Sequence, residues 1–418
     1  MKKFLALLLA AVMCLSIAAC SSEKPAPFQG ASAAPSDSAS TAPESQEPTA
    51  VTVKAGFIFL HDENSTYDLN FINAAKAACE ELGIEYMSKT NIPEGQECYE
   101  AAADLVDSGC NFIFADSFGH EDYMIQAAKK FPEVQFCHAT GTRAHTEGLA
   151  NFHNAFASIY EGRYLAGIAA GMKLNEMIES GKITADQAVI GYVGAYTYAE
   201  VVSGYTSFFL GARSVCESAT MKVTFTGAWY DETAEKEAAN KLIDQGCVLI
   251  SQHADSMGAP TTCENAGVPN VSYNGSTIAA CPNTFIVSSR IDWAPYFKYA
   301  IGCVQSGTEI AKDWTGTLAT GSVVLTDFNE NAAAAGTTEA VAAVRAELEA
   351  GTRQVFDLAT FTVDGAAISS YMADVDTDAN YTPDTEVVEN GAFQESKFRS
   401  APYFDLKIDG IELLDTAF

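Results

Sequence analysis

Apolar and polar positions fall into repeating blocks from residue 51 onward. "VTVKAGFIFL" ends in a near-continuous apolar run, as a buried strand requires. Phe71, Ala74, Ala75, Ala78 and Leu82 then recur at helical spacing, and Gly83 follows as a stop. The alternation continues. "IEYMS", "NFIFAD" and "VQFCHAT" read as strands, separated by the helices "EGQECYEAAADLVDSG" and "EDYMIQAAKKF". A long helix, "IYEGRYLAGIAAGMKLNEMIESG", opens a second series. There "AVIGYVGAY", "MKVTFTGAW", "CVLISQH", "NVSYN" and "TFIVSS" are the strands. Apolar strands with helical crossovers mean parallel sheets covered on both faces. There are more βα units than one small sheet needs. The fold class expected is therefore α/β, with two lobes, each a doubly wound parallel sheet. No short solenoid period is present.

The first residues break this pattern. "MKKFLALLLAAVMCLSIAAC" places two lysines before an apolar core too short to span a bilayer, then small residues before Cys20. Residues 1–19 read as a signal peptide, and "LSIAAC" looks like a lipobox that makes Cys20 the lipidated N-terminus. Residues 20–50 are dominated by Ser, Ala, Pro and Glu, a composition that cannot offset its ordering entropy. They are expected to form a flexible tether. The expected location is the outer face of the cell membrane, held by lipid chains whose methylenes are buried there.

Charge narrows the partners. The net charge is −30, from 54 acids against 24 bases, which argues against nucleic acid because phosphate contacts need Lys and Arg. Eleven cysteines are present, without a CxxC pair. Cys79, Cys110, Cys137 and Cys247 sit in apolar patterns and read as small buried thiols. A bridge such as Cys263 with Cys281 is not readable from sequence.

In open α/β sheets, ligands bind beyond the carboxyl ends of the strands. The first strand runs into His61–Tyr67, which includes Asn64. Later strands run into Asp116-Ser117-Phe118, His138–Gly141, Tyr196-Thr197-Tyr198 and Trp229-Tyr230-Asp231. The last ones run into Gln252–Ser256 (with His253 and Asp255), Asn274-Gly275-Ser276 and Arg290–Trp293. Asp116, Ser117, Asp231 and Ser256 can each serve simply as helix caps. Aromatics are not caps. Tyr67, Phe118, Tyr196, Trp229, Tyr230 and Trp293 together favour a flat ligand held between rings, while any one alone reads equally as packing between lobes.

Catalytic and metal motifs are missing from the sequence. His138, His145 and His153 lack the spacing of a metal site and read as satisfied loop residues. "GYTSF" is not a nucleophile elbow, and "GYVGAY" lacks the dinucleotide fingerprint. "HDENS" lacks the alternating register of a calcium loop. Neither cofactor nor metal is expected.

Five stretches carry a resemblance: "FIFADSFGHEDYMIQAAKKFPEVQFCHATG", "IYEGRYLAGIAAGM", "IGYVGAYTYAEVVSGYTSFFLGARSV", "FTGAWYDETAEKEAANKLIDQGCVLISQHADS" and "SSRIDWAPYF". In order and content, from about residue 51 to about residue 315, the chain resembles the basic membrane protein family of ABC-transporter substrate-binding lipoproteins. The resemblance implies a type I periplasmic-binding-protein fold with a hinge between its lobes. Residues 51–155 and 286–315 would form the N-terminal lobe, 156–285 the C-terminal lobe, and 316–418 an extension completing them. It also implies a purine nucleobase or nucleoside clamped between aromatics of opposite lobes. Trp229 stands at the second-lobe position, and Tyr67 or Phe71 at the first. Asp116 and Ser117 would hydrogen-bond the ring, with His253, Asp255 and Trp293 completing the wall. The loop "HDENSTYDLNF" departs from the common forms. Ser276 stands where many relatives place an Asp suited to ribose hydroxyls, which favours a base or another flat, amide-bearing ligand over a nucleoside.

The function expected is a lipid-anchored, monomeric receptor that closes on its ligand by hinge motion and hands it to an ABC permease with a separate ATPase. It would perform no chemistry. The alternatives are a receptor for a different flat solute, a signalling receptor without transport, and a surface nucleoside hydrolase.

Overall fold

A computed structural model describes residues 51–375, 380 and 382–416. The signal peptide, Cys20 and the tether lie outside the described residues. Two sheets carry the fold. The first has six strands: β1 (Lys54–Ile58), β2 (Glu85–Lys89), β3 (Phe112–Ala115), β4 (Gln135–Ala139), β5 (Phe152–Ala157) and β11 (Asp313–Gly316). Their order is β11-β5-β4-β3-β1-β2, with every pairing parallel. The second sheet is built on β6 (Val189–Gly194), β7 (Thr220–Phe225), β8 (Leu249–His253), β9 (Asn270–Tyr273) and β10 (Phe285–Ile291). Here the order is β10-β9-β8-β6-β7, again parallel. Both sheets thus reverse direction beside their first strand, at β1/β3 and at β6/β8. Such a switch point opens a crevice at the carboxyl ends.

The sequence expectation places residues 286–291 in the N-terminal lobe, yet β10 pairs with β9 in the second sheet. Its apolar run "FIVSS" is as buried as any central strand, and periodicity does not say which sheet buries it. The chain returns to the first lobe only at the helix Ala294–Ser306, which packs on the helix Thr66–Leu82.

The extension does more than finish one lobe. Strand β12 (Val323–Leu325) pairs antiparallel with β10, and Ile411–Leu413 pairs parallel with β7. The helix Thr337–Glu349 packs on the helix Ile159–Glu179. The "DG" at 364–365 makes a tight turn between Val363 and Ala366, with both turn residues at positive φ as a two-residue hairpin demands. The extension also touches the first lobe, where Ser400 N donates to Asp313 Oδ2 at 2.9 Å.

The core of the second lobe rests on glycine. Helices Ile159–Glu179 and Ala199–Val215 approach backbone to backbone. A Cβ on Gly167 would lie 2.1 Å from the Phe208 carbonyl oxygen, and one on Gly211 would lie 2.1 Å from that of Tyr164. No side chain can move aside there, because the obstacles are main chain. Cysteines fill gaps elsewhere. Cys79, Cys98, Cys110, Cys137, Cys216, Cys247, Cys263 and Cys281 are buried free thiols, and Cys303 is a half-buried one. Cys263 and Cys281 do not form a bridge.

Gly211→Ala is expected to cost about 1–3 kcal/mol by overpacking. Gly302, mid-helix with open space around its Cα, is the control, and Gly302→Ala should gain up to ~1 kcal/mol. Denaturant titration of both variants checks the contrast; equal effects would contradict the helix contact.

Candidate functional site

The loop after β1 satisfies its own polar groups. Ser65 caps the helix Thr66–Leu82, its hydroxyl accepting from Asp68 N at 3.2 Å. Asp62 Oδ1 accepts from Asn64 N at 3.0 Å and from Asn64 Nδ2 at 2.8 Å, which closes the turn on itself. Asn64 is therefore spent on the loop and exposed. Asp68 is buried and accepts from His61 N at 2.7 Å, with His61 Nδ1 3.4 Å from its other oxygen. Tyr67 is held in the first helical turn, where its hydroxyl donates to the Asp116 carbonyl at 2.8 Å.

A narrow cavity lies between the two sheets' carboxyl ends. The first lobe lines it with Leu60, His61, Tyr67 and Asp68 after β1, Ser117 and Phe118 after β3, and Thr140 after β4. The second lobe supplies Glu200 after β6, Trp229 after β7, His253 and Asp255 at the end of β8, and Tyr273 closing β9. The lobes touch around it. Thr66 N donates across the cleft to the Asp255 carbonyl at 3.0 Å. The rings of His61 and Tyr230 stand 5.4 Å apart, and those of Phe118 and Tyr198 stand 5.3 Å apart.

Six residues expected from sequence thus meet on one wall or the other: Tyr67, Ser117, Phe118, Trp229, His253 and Asp255. Tyr196 backs Trp229 edge to face at 5.1 Å. Asp116 lies directly behind Tyr67, fully buried, with one oxygen accepting from Leu60 N at 3.1 Å. Asn274 is buried and reaches Asp255 Oδ1 at 3.4 Å, while Ser276 is exposed on an outer groove. Phe71 and Trp293 do not face the cavity. They stack on each other at 4.4 Å within an aromatic core that includes Phe114 and Phe297. The same property, a large ring, serves a wall and a core equally, so the sequence did not separate them.

Charge in the cleft is arranged unevenly. Burial tends to raise Asp68, but hydrogen bonds from His61 and Ser65 outweigh it and lower its pKa, leaving it ionised. Asp116 is pushed well above the usual carboxylate range by burial and then by the neighbouring Asp68 charge. Asp255 is raised likewise, by burial and then by Asp68, Glu235 and Glu200. Burial lowers His253, whose Nε2 lies 3.4 Å from Glu200 Oε1. Its Nδ1 faces Gly204, where a Cβ would come within 2.7 Å, so the close approach needs glycine. Glu235, pushed up to about 7 by burial, accepts from Asp231 N and Ser256 N and so ties the Trp229 loop to the Asp255 loop.

Sequence reasoning missed Glu200, Tyr273 and Asp68. Asp68 lies one residue past the stretch His61–Tyr67 and Glu200 two past Tyr196–Tyr198, each in the first turn of a helix, and Tyr273 is the last residue of β9. It also missed Arg163. This buried guanidinium lies 4.4 Å from the centre of the Tyr273 ring and donates to the Gln252 carbonyl at 2.8 Å. It braces the second-lobe wall from behind. Among the described residues, no His, Cys, Asp and Glu side chains gather as a metal site would require.

The carboxyl of Asp116 has a pH consequence. Unfolded, it ionises near ~3.9; folded, it holds its proton to higher pH. Between those values the folded state carries the extra proton, so stability falls as pH rises. Asp116→Asn removes that share of the fall. Its melting temperature relative to the parent should rise from pH 4 to pH 8, and parallel melting curves across that range would contradict the assignment.

Residues 59–344 match the sequence profile of the Bmp family, described as ABC transporter substrate-binding protein PnrA-like. A purine-binding protein of Brucella abortus (strain 2308) is 33% identical over 261 residues, 61% of this chain and 70% of that one. A putative ABC transporter glucose-binding protein of Haloferax volcanii is 32% identical over 250 residues, 60% of this chain and 59% of that one. A solved ABC transporter solute-binding protein from Aeropyrum pernix K1 superposes with a TM-score of 0.59 at 17% identity, over 73% of this chain and 93% of that one. That likeness shows the two-lobed periplasmic-binding fold. With two thirds of its length covered by the profile, the chain belongs to the Bmp family of PnrA-like ABC transporter substrate-binding proteins.

Proposed function

We propose that the protein is the lipid-anchored, extracytoplasmic receptor of an ABC importer, and that it takes a purine base or nucleoside between its lobes. The observation that carries the ligand class is the cavity itself. Aromatic rings from both lobes, Tyr67 and Phe118 against Trp229 and Tyr273, surround a space edged by carboxyls and a neutral histidine. Rings favour a flat partner. A protonated Asp255 carboxyl both donates and accepts, which suits the mixed edge of a purine. An ionised Asp68 disfavours an anion. The purine-binding relative from Brucella supports the same class.

Anchoring rests on the lipobox sequence "LSIAAC" and the tether after it. Among the described residues no helix is long and apolar enough to cross a membrane. Lipid chains would keep the receptor beside its permease and raise its effective concentration there. The protein binds and releases its ligand; the permease's ATPase supplies the energy.

A second reading has its own support. The Haloferax relative is named as a putative glucose-binding protein, and aromatic faces stack on sugar rings as well as on bases.

Calorimetry of the refolded, ligand-stripped protein against adenine, guanine, hypoxanthine, their nucleosides and glucose separates the two. Heat with a purine and none with glucose is the expected result. Heat with glucose alone would replace the reading. Trp229→Ala should weaken purine binding more than tenfold, from stacking of roughly 1–3 kcal/mol per base; unchanged affinity would remove Trp229 from the site.

A further inference from the structure

A second, roomier cavity adjoins the first. The two share Phe118, Thr140 and Glu200 as a common wall. Beyond that wall the lining is mainly apolar, and it comes from three parts of the chain. The first lobe gives Phe118 and Thr142, the second gives Tyr198 and Ala199, and the extension gives Ala401 and Pro402 together with Arg399, whose guanidinium also lines the space. Residues 401 and 402 lie outside the stretch that matches the family profile, which ends at 344. This wall is therefore a feature of this chain's extension.

The extension holds its wall in place. Arg399 donates from Nε to the Ala401 carbonyl, from Nη1 to that of Asp374 and from Nη2 to that of Pro402. Ser400 is fully buried, and its N–H is fixed on Asp313 of the first lobe. Glu395 is buried and accepts from Ser203 Oγ of the second lobe at 2.5 Å. A guanidinium spent on three carbonyls is an anchor for the segment; with Glu200 also at the wall, the space does not suit an anion. Phe118, 40% exposed and with its ring 5.3 Å from that of Tyr198, stands between the two spaces together with Thr140 and Glu200.

We infer that the site takes a two-part ligand: a purine ring in the first cavity and an uncharged, largely apolar ring substituent in the second, gripped by Ala401 and Pro402. This rests on the purine reading. The substituent touches both lobes and the extension, so its burial adds to the closure that the ring begins. Apolar area removed from water supplies the gain.

Calorimetry with adenine, N6-benzyladenine and 9-benzyladenine tests it. The two derivatives send the same apolar group out from different ring edges, so the orientation of the base need not be known. At least one should bind tenfold or more tighter than adenine. Ala199→Trp, which fills the second cavity, should shrink that ratio towards one; the ratio is read within a single variant, so a general loss of affinity does not mimic it. If adenine binds and neither derivative binds tighter, the second compartment is not a ligand site and the purine reading stands. If none of the three binds and the unsubstituted purines also give no heat, both fall together.

Discussion

Carboxyl groups crowded into one cleft cannot all carry charge. Asp68, Asp116 and Asp255 are buried around the same space, and the structure resolves the conflict by unequal hydrogen bonding. Asp68 receives the His61 and Ser65 groups and stays ionised. Asp116 and Asp255, facing that charge with fewer donors, are held towards the neutral form. Of the two, Asp255 lines the cavity and can both donate and accept there, while Asp116 stands behind Tyr67. Under the proposed function, that edge suits a neutral ligand carrying both donors and acceptors.

The rest of the fold serves to bring those groups together from two separate bodies. Parallel strands end on one side of each sheet, and the switch points at β1/β3 and β6/β8 face one another. The loop after β1, at the mouth of the cleft, spends several of its polar atoms on itself. The backbone contact of the two glycine-bearing helices makes the second lobe a stiff partner. The two walls meet in a few contacts, among them the Thr66 N–H on the Asp255 carbonyl. The extension is fastened to both lobes through Ser400 and Glu395.

Much of this was legible in the sequence, for physical reasons. Apolar runs of strand length and helical spacing of alanines located the elements, and the strand-end rule located Tyr67, Ser117, Trp229 and His253 at the cavity. What was not legible depends on distance through space. Phe71 and Trp293 have the same chemistry as Tyr67 and Trp229, and only packing makes the first pair core. The strand Phe285–Ile291 has the same apolar run in either sheet. Glu200 and Tyr273 reach the cavity because helix and strand happen to begin or end there. Ala401 and Pro402 carry no signal of their own and matter only because the extension folds back over the cleft.

Amide hydrogen exchange at Thr66 tests most directly the claim that a purine closes these lobes on each other. With adenine at saturation, exchange should slow at Thr66 and across residues 61–70 and 253–256, and stay unchanged in the helix Thr337–Glu349. A purine that binds by calorimetry yet leaves Thr66 and both segments unprotected would contradict the account.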